Sequence, residues 1–571
     1  MTPVEENNTP LSVSEEQEAP DGSHAANGGA QNSSSIPEGA DSATAETQSA
    51  GRQIARAASM VMFAFIVSNL VGVVRGMVIT RAFGTSADLD SFNAANRITE
   101  LMFNLMAGGA LGSAFIPMFT GYLTREDKKG AWRLASGVLN MLTLVLILVS
   151  ILVWIFAPGI VKNGLFVLAP ESDPVRLDQT VRLLRIMLPT VTIFGLSGLV
   201  MGILNAHQVF FIPALAPALY SLGMILGTLL LPKSWGIDRL AVGVVIGALG
   251  HLLVQLPRLR KLPGRAYQAS VGIKDKAVRQ VLRLMLPRMI GAGVVQLNFV
   301  ANTVIALGLG EGSASAVSLA FTLMLMPQTA IAQSAGIASL PTLSAQVERG
   351  QYDEFRTTLS GIIRGVVLLA VPAAIGMILL RVPLVQVLYE GGAFDAHSTQ
   401  MVAWALMWYS AGLVGHCLVE VLSRAFYALH DTKTPVLVGV AAMSLNIALS
   451  FALSSLFERV GWMPHGGLAL ANSLATGLES GVLLLLIRKR LNGLGGRQIG
   501  RSALAALAGT AVMGAAVYGW MVFMQGGSRV VILLIGIVLG VGIYGLMMWL
   551  MKVPELKSIV RLISHKLGRK R

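Results

Sequence analysis

Apolar runs about 20 residues long recur along this chain, and they constrain its fold more than any other feature. A helix of that length crosses about 30 Å of hydrocarbon. The hydrocarbon offers the backbone no hydrogen-bond partners, so such runs must pair their own backbone groups as helices. Composition agrees: 54% of the 571 residues are hydrophobic, 13% are charged and the mean hydropathy is +0.66. The 61 glycines suit helices that approach closely in lipid. The reading is an all-α polytopic membrane protein.

Hydropathy predicts fourteen spans, near 57–81, 88–122, 131–158, 180–206, 212–231, 236–257, 278–307, 314–345, 355–381, 397–428, 434–456, 465–487, 499–523 and 529–551. Residues 1–50 hold no Lys or Arg and nine acids, and are expected to be a disordered acidic tail rather than a signal peptide. Cations crowd the even-numbered connections, for example Arg125, Lys128, Lys129 and Arg133, then Arg258, Arg260, Lys261 and Arg265, then Arg488, Lys489 and Arg490. The positive-inside rule therefore predicts that both termini and these loops are cytoplasmic. The formal charge of +14 is read as topology and lipid contact, not nucleic-acid binding. Cys417 is alone, so no disulfide framework exists.

Two sequence pieces recur. Gly112-Ser-Ala-Phe-Ile-Pro117 is echoed by Gly336-Ile-Ala-Ser-Leu-Pro341, with the prolines 224 residues apart. Asn205-Ala-His-Gln-Val-Phe-Phe-Ile-Pro213 is echoed by Tyr427-Ala-Leu-His-Asp-Thr-Lys-Thr-Pro435, with the prolines 222 apart. The echoes predict two parallel six-helix repeats, an N-lobe at 55–258 and a C-lobe at 274–490. Two further helices at 497–551 and a basic cytoplasmic tail at 552–571 complete the expected organisation. Membrane proteins with such repeats carry substrate between their halves by rocking them.

Charge inside hydrocarbon is costly and marks candidate sites. The first span carries Ser68, Asn69, Gly72, Arg75, Gly76 and Thr80 on one stripe, and the second carries Asp90, Asn93, Arg97, Glu100 and Asn104 on one face. Together they predict a polar cavity with Arg75, Asp90, Arg97 and Asn69 as binding residues, and Arg288, after Pro287 in the seventh span, either joins them or snorkels to the cytoplasmic headgroups. A guanidinium there suits a phosphate, which it can grip with paired charge-assisted hydrogen bonds. Alternatively, Arg97 and Glu100 form an ion pair that fixes packing, and Asp90 is a helix-start charge favoured by the dipole. Glu100, Glu479, Asn298 and Asn302 are candidate gating or ion residues. No P-loop and no metal-ligand spacing is present, so a transporter without a built-in ATPase and without a cofactor or metal is expected.

At this point Gly72-Val-Val-Arg75, Arg81-Ala-Phe-Gly-Thr-Ser-Ala-Asp-Leu-Asp90-Ser-Phe92, Gly109-Ala-Leu-Gly-Ser-Ala-Phe-Ile-Pro117, Gly391-Gly-Ala-Phe-Asp395 and Arg424-Ala-Phe-Tyr-Ala-Leu-His-Asp-Thr-Lys-Thr-Pro435 carry a resemblance. In order and spacing the chain resembles the MurJ/MviN family, the lipid II flippases of the MOP exporter superfamily. The resemblance covers residues 55–550. It implies two lobes around a cationic cavity, a tail groove at the last two helices, and transfer of lipid II across a bacterial cytoplasmic membrane by a monomer. Membrane lipids and cell-wall synthesis proteins are the expected partners. Arg75 and Asp90 match family positions, whereas Asn69, Phe103 and Thr322 stand where the family pattern has arginines. Rival readings are an exporter of another lipid-linked polysaccharide or a drug, and a non-transporting scaffold for cell-wall enzymes.

Overall fold

Within hydrocarbon a helix is the one way a single segment can pair all its own backbone groups. The computed structural model describes residues 39–106, 110–169, 173–264, 266–270, 272 and 274–555, with side chains from residue 60 on except 61, 106, 110–113, 287, 288, 290–292 and 294. The acidic tail expected at 1–50 and the basic tail expected at 552–571 fall mostly outside the described residues. Helices are α1 (Gly39–Phe83), α2 (Ala87–Met106), α3 (Ala110–Thr124), α4 (Lys128–Ile160), α5 (Pro174–Met187), α6 (Pro189–Ala206), α7 (Phe211–Leu230), α8 (Asp238–Leu253) and α9 (Leu256–Arg260). There follow α10 (Lys276–Gly308), α11 (Ser313–Gln328), α12 (Ser334–Glu348), α13 (Tyr352–Tyr389), α14 (Ala396–Ala411), α15 (Leu413–Ala428), α16 (Lys433–Arg459), α17 (His465–Arg490), α18 (Gly496–Phe523) and α19 (Arg529–Leu550). No strand occurs among the described residues, only one bridge between Gly391 and Phe394.

Eleven helical segments are long and apolar enough to cross a membrane, or twelve if α14 and α15, bent by 49°, make one span. The sequence reading expects fourteen. The expected spans at 88–122 and 278–307 account for the difference, because both are unusually polar. The first is α2 and α3, and α2 carries Asp88, Asp90, Arg97 and Glu100. The second is α10, which carries Arg279, Arg283, Arg288, Gln296, Asn298 and Asn302.

Residues 59–555 form one compact unit with two large apolar cores and two smaller clusters where α18 and α19 meet α13. The first is built on Phe115, Phe119, Leu183 and Leu184, the second on Phe355, Val402, Leu406 and Phe426. In lipid the hydrophobic effect does not drive helices together, so close fit must do so. Helices α7 and α8 show how. Gly223 and Gly227 face Gly243 and Gly247, and a Cβ at Gly223 would lie 2.2 Å from the Gly247 Cα. Helix α19 is pinned to α13 at both ends. Arg529 pairs with Glu390 beyond one end, and Arg364 pairs with Glu555 at 3.1 Å near the other.

Helix α11 breaks into α12 through a π-helical turn at Thr329–Gln333. A π turn leaves carbonyls without regular partners. Arg424 of α15 donates to one of them, Gln333 O, at 3.2 Å. The guanidinium passes where a Cβ on Gly336 would stand, so a glycine there makes the contact possible.

A candidate cationic site between two cores

Arg75 sits about two turns before the end of α1, half-buried between the two cores. Its Nη1 approaches Ser221 Oγ of α7 at 3.4 Å. On the neighbouring position, a Cβ on Gly76 would lie 3.7 Å from the Tyr389 ring of α13. Arg75 therefore lies between a helix of the first core and one of the second. Among the described residues it makes no ion pair.

Arg97 is the second guanidinium here. It donates to Glu100 at 2.8 Å and lies 5.4 Å over the ring of Phe299 on α10. Its Nε is buried without a partner among the described residues. Asn96 donates to the other Glu100 oxygen at 2.8 Å. The pair keeps part of the Arg97 charge engaged, while Arg75 keeps all of its own free for an anion.

One end of this region is joined across the cores by backbone contacts. Asp90 is fully buried. It accepts from Gly312 N, Ser315 N and Ser315 Oγ, each at 2.7 Å, at the start of α11. Arg176 of α5 approaches it at 3.4 Å. Glu311 accepts from Ala87 N, which opens α2, at 3.0 Å. Asn93 donates to Ser315 Oγ at 3.0 Å and Thr85 to Ser398 Oγ at 2.9 Å. Ala393 N donates to Arg81 O at 2.8 Å. Two of the motifs that carry the resemblance, the one opening at Arg81 and the one opening at Gly391, thus touch directly. Glycine is required where backbones meet: Gly84 has φ +65° and Gly312 φ +79°, and a Cβ on either would fall within 2.5 Å of a carbonyl oxygen across the junction.

The other sequence-selected residues are spread out. Asn69 is exposed and donates to Phe65 O at 2.9 Å in its own helix. Arg288 lies in α10 with its side chain outside the described residues. Asn298 and Asn302 converge on Asn446 of α16 at 3.2 and 3.0 Å. They tie α10 to α16, and Asn298 is one residue from Phe299, whose ring lies under Arg97. Glu479 of α17 is half-buried, with no hydrogen bond among the described residues, beside Gly439 of α16. Phe103 packs on Phe194 at 5.3 Å, and Thr322 bonds back to Ser318 O at 2.9 Å.

Sequence reasoning missed Arg176, Glu311, Gly312, Ser315 and Asn446. The repeat offset held a signal for three of them. Glu311 lies 224 residues from Ala87, and Gly312 and Ser315 lie 222 and 225 from Asp90, the spacing already shown by the echoed prolines.

Residues 79–539 match the family described as lipid II flippase MurJ. The chain belongs to that family. A MurJ relative from Burkholderia cenocepacia, named lipid II flippase MurJ, is 31% identical over 433 residues, covering 74% of this chain and 82% of its own. A second from Rhizobium tropici, named probable lipid II flippase MurJ, is 30% identical over 477 residues, covering 81% and 86%. Among solved structures, a lipid II flippase MurJ in an inward closed conformation superposes with a TM-score of 0.71 at 23% identity, covering 86% of this chain and 98% of that one. An inward-facing multidrug resistance MATE transporter of the MOP superfamily gives 0.62 at 14% identity, covering 74% and 94%. The MurJ fold is thus shared with multidrug transporters, and what distinguishes a MurJ member must be sought in its side chains.

Proposed function

We propose that this chain moves lipid II, a lipid-linked peptidoglycan precursor, from the inner to the outer leaflet of a bacterial cytoplasmic membrane by alternating access. Family membership supports the cargo class. The observation that carries the chemistry is Arg75, a guanidinium between two cores with no acid beside it among the described residues. A diphosphate bears closely spaced oxygens, and a planar guanidinium can engage two at once. Arg97 adds positive field, tempered by Glu100. Arg288 is assigned to the same field by its place in α10. In this reading the bodies that rock are the two lobes, 55–258 and 274–490.

In this reading the junction around Asp90 is the outer gate, because the basic connections lie at the opposite ends of the helices and face the cytoplasm with both termini. Opening it must break the hydrogen bonds from α11 to Asp90 and from α2 to Glu311. The cost is recovered when the diphosphate engages Arg75 and the lobes close behind it. The apolar tail stays in lipid, along α18 and α19. No ATP is consumed by the chain, and the driving force comes from the membrane potential, an ion gradient or removal of product outside.

Native mass spectrometry of the purified protein tests this. Lipid II and an undecaprenyl diphosphate oligosaccharide are offered to the parent and to Arg75→Ala. Preferred binding of lipid II, weakened roughly ten-fold or more in the variant, is expected from loss of a charge-assisted contact worth about 1.5–3 kcal/mol. Binding of neither lipid overturns the proposal, and equal binding by parent and variant overturns the Arg75 contact.

A further inference from the structure

Helix α4 turns an apolar face outward, with Leu144, Ile147, Leu148, Ile151 and Ile155 exposed. Opposite it, α5 gives way to α6 at Leu188 and Pro189. Pro189 has no N–H for the Arg185 carbonyl four residues back, so the helix breaks there. Between α4 and the break runs a groove of about 460 Å³, walled by Ile147, Ile151, Leu188, Pro189 and Ile193. Ser150, on the same wall, has a buried hydroxyl with no partner among the described residues. At Trp154 and Arg185 the groove meets a second hollow of about 590 Å³, whose lining includes Asp178 and Arg182.

The charges in this hollow sort into paired and unpaired. Arg182 is spent on Asp238 of α8 at 2.9 Å. Arg185 lies 4.4 Å over the Trp154 ring and its Nε donates to Trp154 O at 3.2 Å. Its terminal nitrogens bond nothing among the described residues, and neither it nor Asp178 forms an ion pair there. Seven residues separate them on α5, about 10.5 Å along the axis. Helix side chains lean toward the N-terminus, so the Arg185 guanidinium leans toward Asp178 and shortens that gap.

Depth fits a lipid headgroup. Helix α6 ends at Ala206, and a hydrocarbon crossing takes about 20 residues. Counting back places the opposite boundary beside Arg185. Trp and Arg at that level are an interfacial pair, apolar body inward and charge outward.

We propose that this groove binds one glycerophospholipid of the phosphatidylethanolamine class, with an acyl chain in the apolar groove, its phosphate on Arg185 and its ammonium on Asp178. The fixed cation and the free anion match a headgroup whose phosphate and ammonium are joined by an ethylene link. A headgroup with no ammonium leaves Asp178 unanswered. A trimethylated one cannot donate a hydrogen bond to it. The site faces lipid on the outside of the first core and is independent of the cationic site between the cores.

Lipid retention through detergent purification, read by native mass spectrometry, tests the site without reference to transport. Phosphatidylethanolamine, phosphatidylglycerol and phosphatidylcholine with the same acyl chains are offered in equal amounts, with undecaprenyl phosphate in a separate arm. The parent is expected to retain one phosphatidylethanolamine in preference to the others. Asp178→Asn, at an exposed position that tolerates change, should lose that preference about three- to five-fold, as an exposed ion pair allows. Arg185→Gln should lose retention of all three lipids, and Ile151→Trp should block retention with both charges in place. A parent that favours phosphatidylglycerol or undecaprenyl phosphate overturns the proposal. So does an Asp178→Asn variant with the parent's preference, or an Ile151→Trp variant that still retains the lipid.

Discussion

Asp90 and Glu311 cap each other's helices across the two cores. Asp90, in α2, accepts from the amides of Gly312 and Ser315 at the start of α11, and Glu311, just ahead of α11, accepts from the Ala87 amide at the start of α2. Helix starts leave amides unsatisfied, and carboxylates are their best acceptors. Here each is supplied in trans, so pulling the helices apart uncaps both. A bond within one helix has no such consequence.

Asp90→Ala leaves the Gly312 and Ser315 donors and Arg176 facing an empty position. Breaking a buried charge pair from one side costs about 3–5 kcal/mol. The expected outcome is a junction that opens more readily. A cysteine placed at Thr85 reports on it, because the sole native cysteine, Cys417, is buried. Labelling of that cysteine by a membrane-impermeant maleimide should be faster with Asp90→Ala than without it. Unchanged labelling rates would show that Asp90 does not hold the end shut.

Gly312→Ala separates close approach from backbone strain. At Gly312 a Cβ meets Thr85 O at 2.4 Å and φ is +79°, whereas Gly350 has φ +69° with nothing within 4 Å. Both variants bear the left-handed cost of about 1–2 kcal/mol, but only Gly312→Ala must also push a backbone away. Its Tm in detergent should fall clearly further than that of Gly350→Ala. Equal losses would mean that the junction yields freely.

Glu100 holds Arg97 at 2.8 Å, so the two predict opposite variants. Glu100→Gln frees positive field and should tighten binding of a diphosphate lipid. Arg97→Ala leaves Glu100 uncompensated and should weaken it. Each effect is expected to be several-fold, on the scale of a partly exposed ion pair, about 0.5–1 kcal/mol. Titration of both variants with undecaprenyl diphosphate checks the signs, and movement in the same direction would rule out the arrangement.

Outside the spans, Asp431 supplies a pH-dependent contribution. It accepts from Thr434 N at 3.0 Å and Thr434 Oγ1 at 2.8 Å, and pairs with Arg490 at 2.7 Å. The Thr434 amide, more than the other contacts, holds the carboxyl below its ordinary value of 3.8. A lowered folded value means the stabilisation is complete above the ordinary value and is lost as pH falls through the lowered one. Asp431→Asn should therefore melt below the parent at neutral pH, and the gap should close as pH falls below the ordinary carboxylate value. A gap independent of pH would assign the effect to packing.

The helical membrane fold was legible because hydropathy and charge are local quantities. Residue type along α4 or α19 needs no partner to be read. The number of spans was less legible, since α2 and α10 carry polar residues that only a protein interior tolerates. Arg75 and Arg97 stood out because charge in an apolar run is rare. The three-residue spacing of Arg97 and Glu100 also disclosed their pairing. Asn298 and Asn302 were picked out as polar residues in a span, but their partner Asn446 lies 148 and 144 residues away, and nothing local marks it.

The sequence by itself determined a helical membrane protein with a repeat, its family, and a guanidinium held in an apolar segment. Only the tertiary structure decided what Asp90 binds, why Gly312 lacks a side chain, and that Arg185 and Asp178 share one lipid-facing hollow. The physical reason is range. Burial, periodicity and loop charge are set by neighbours in the chain, whereas a carboxylate takes its role from donors that packing brings from more than 200 residues away.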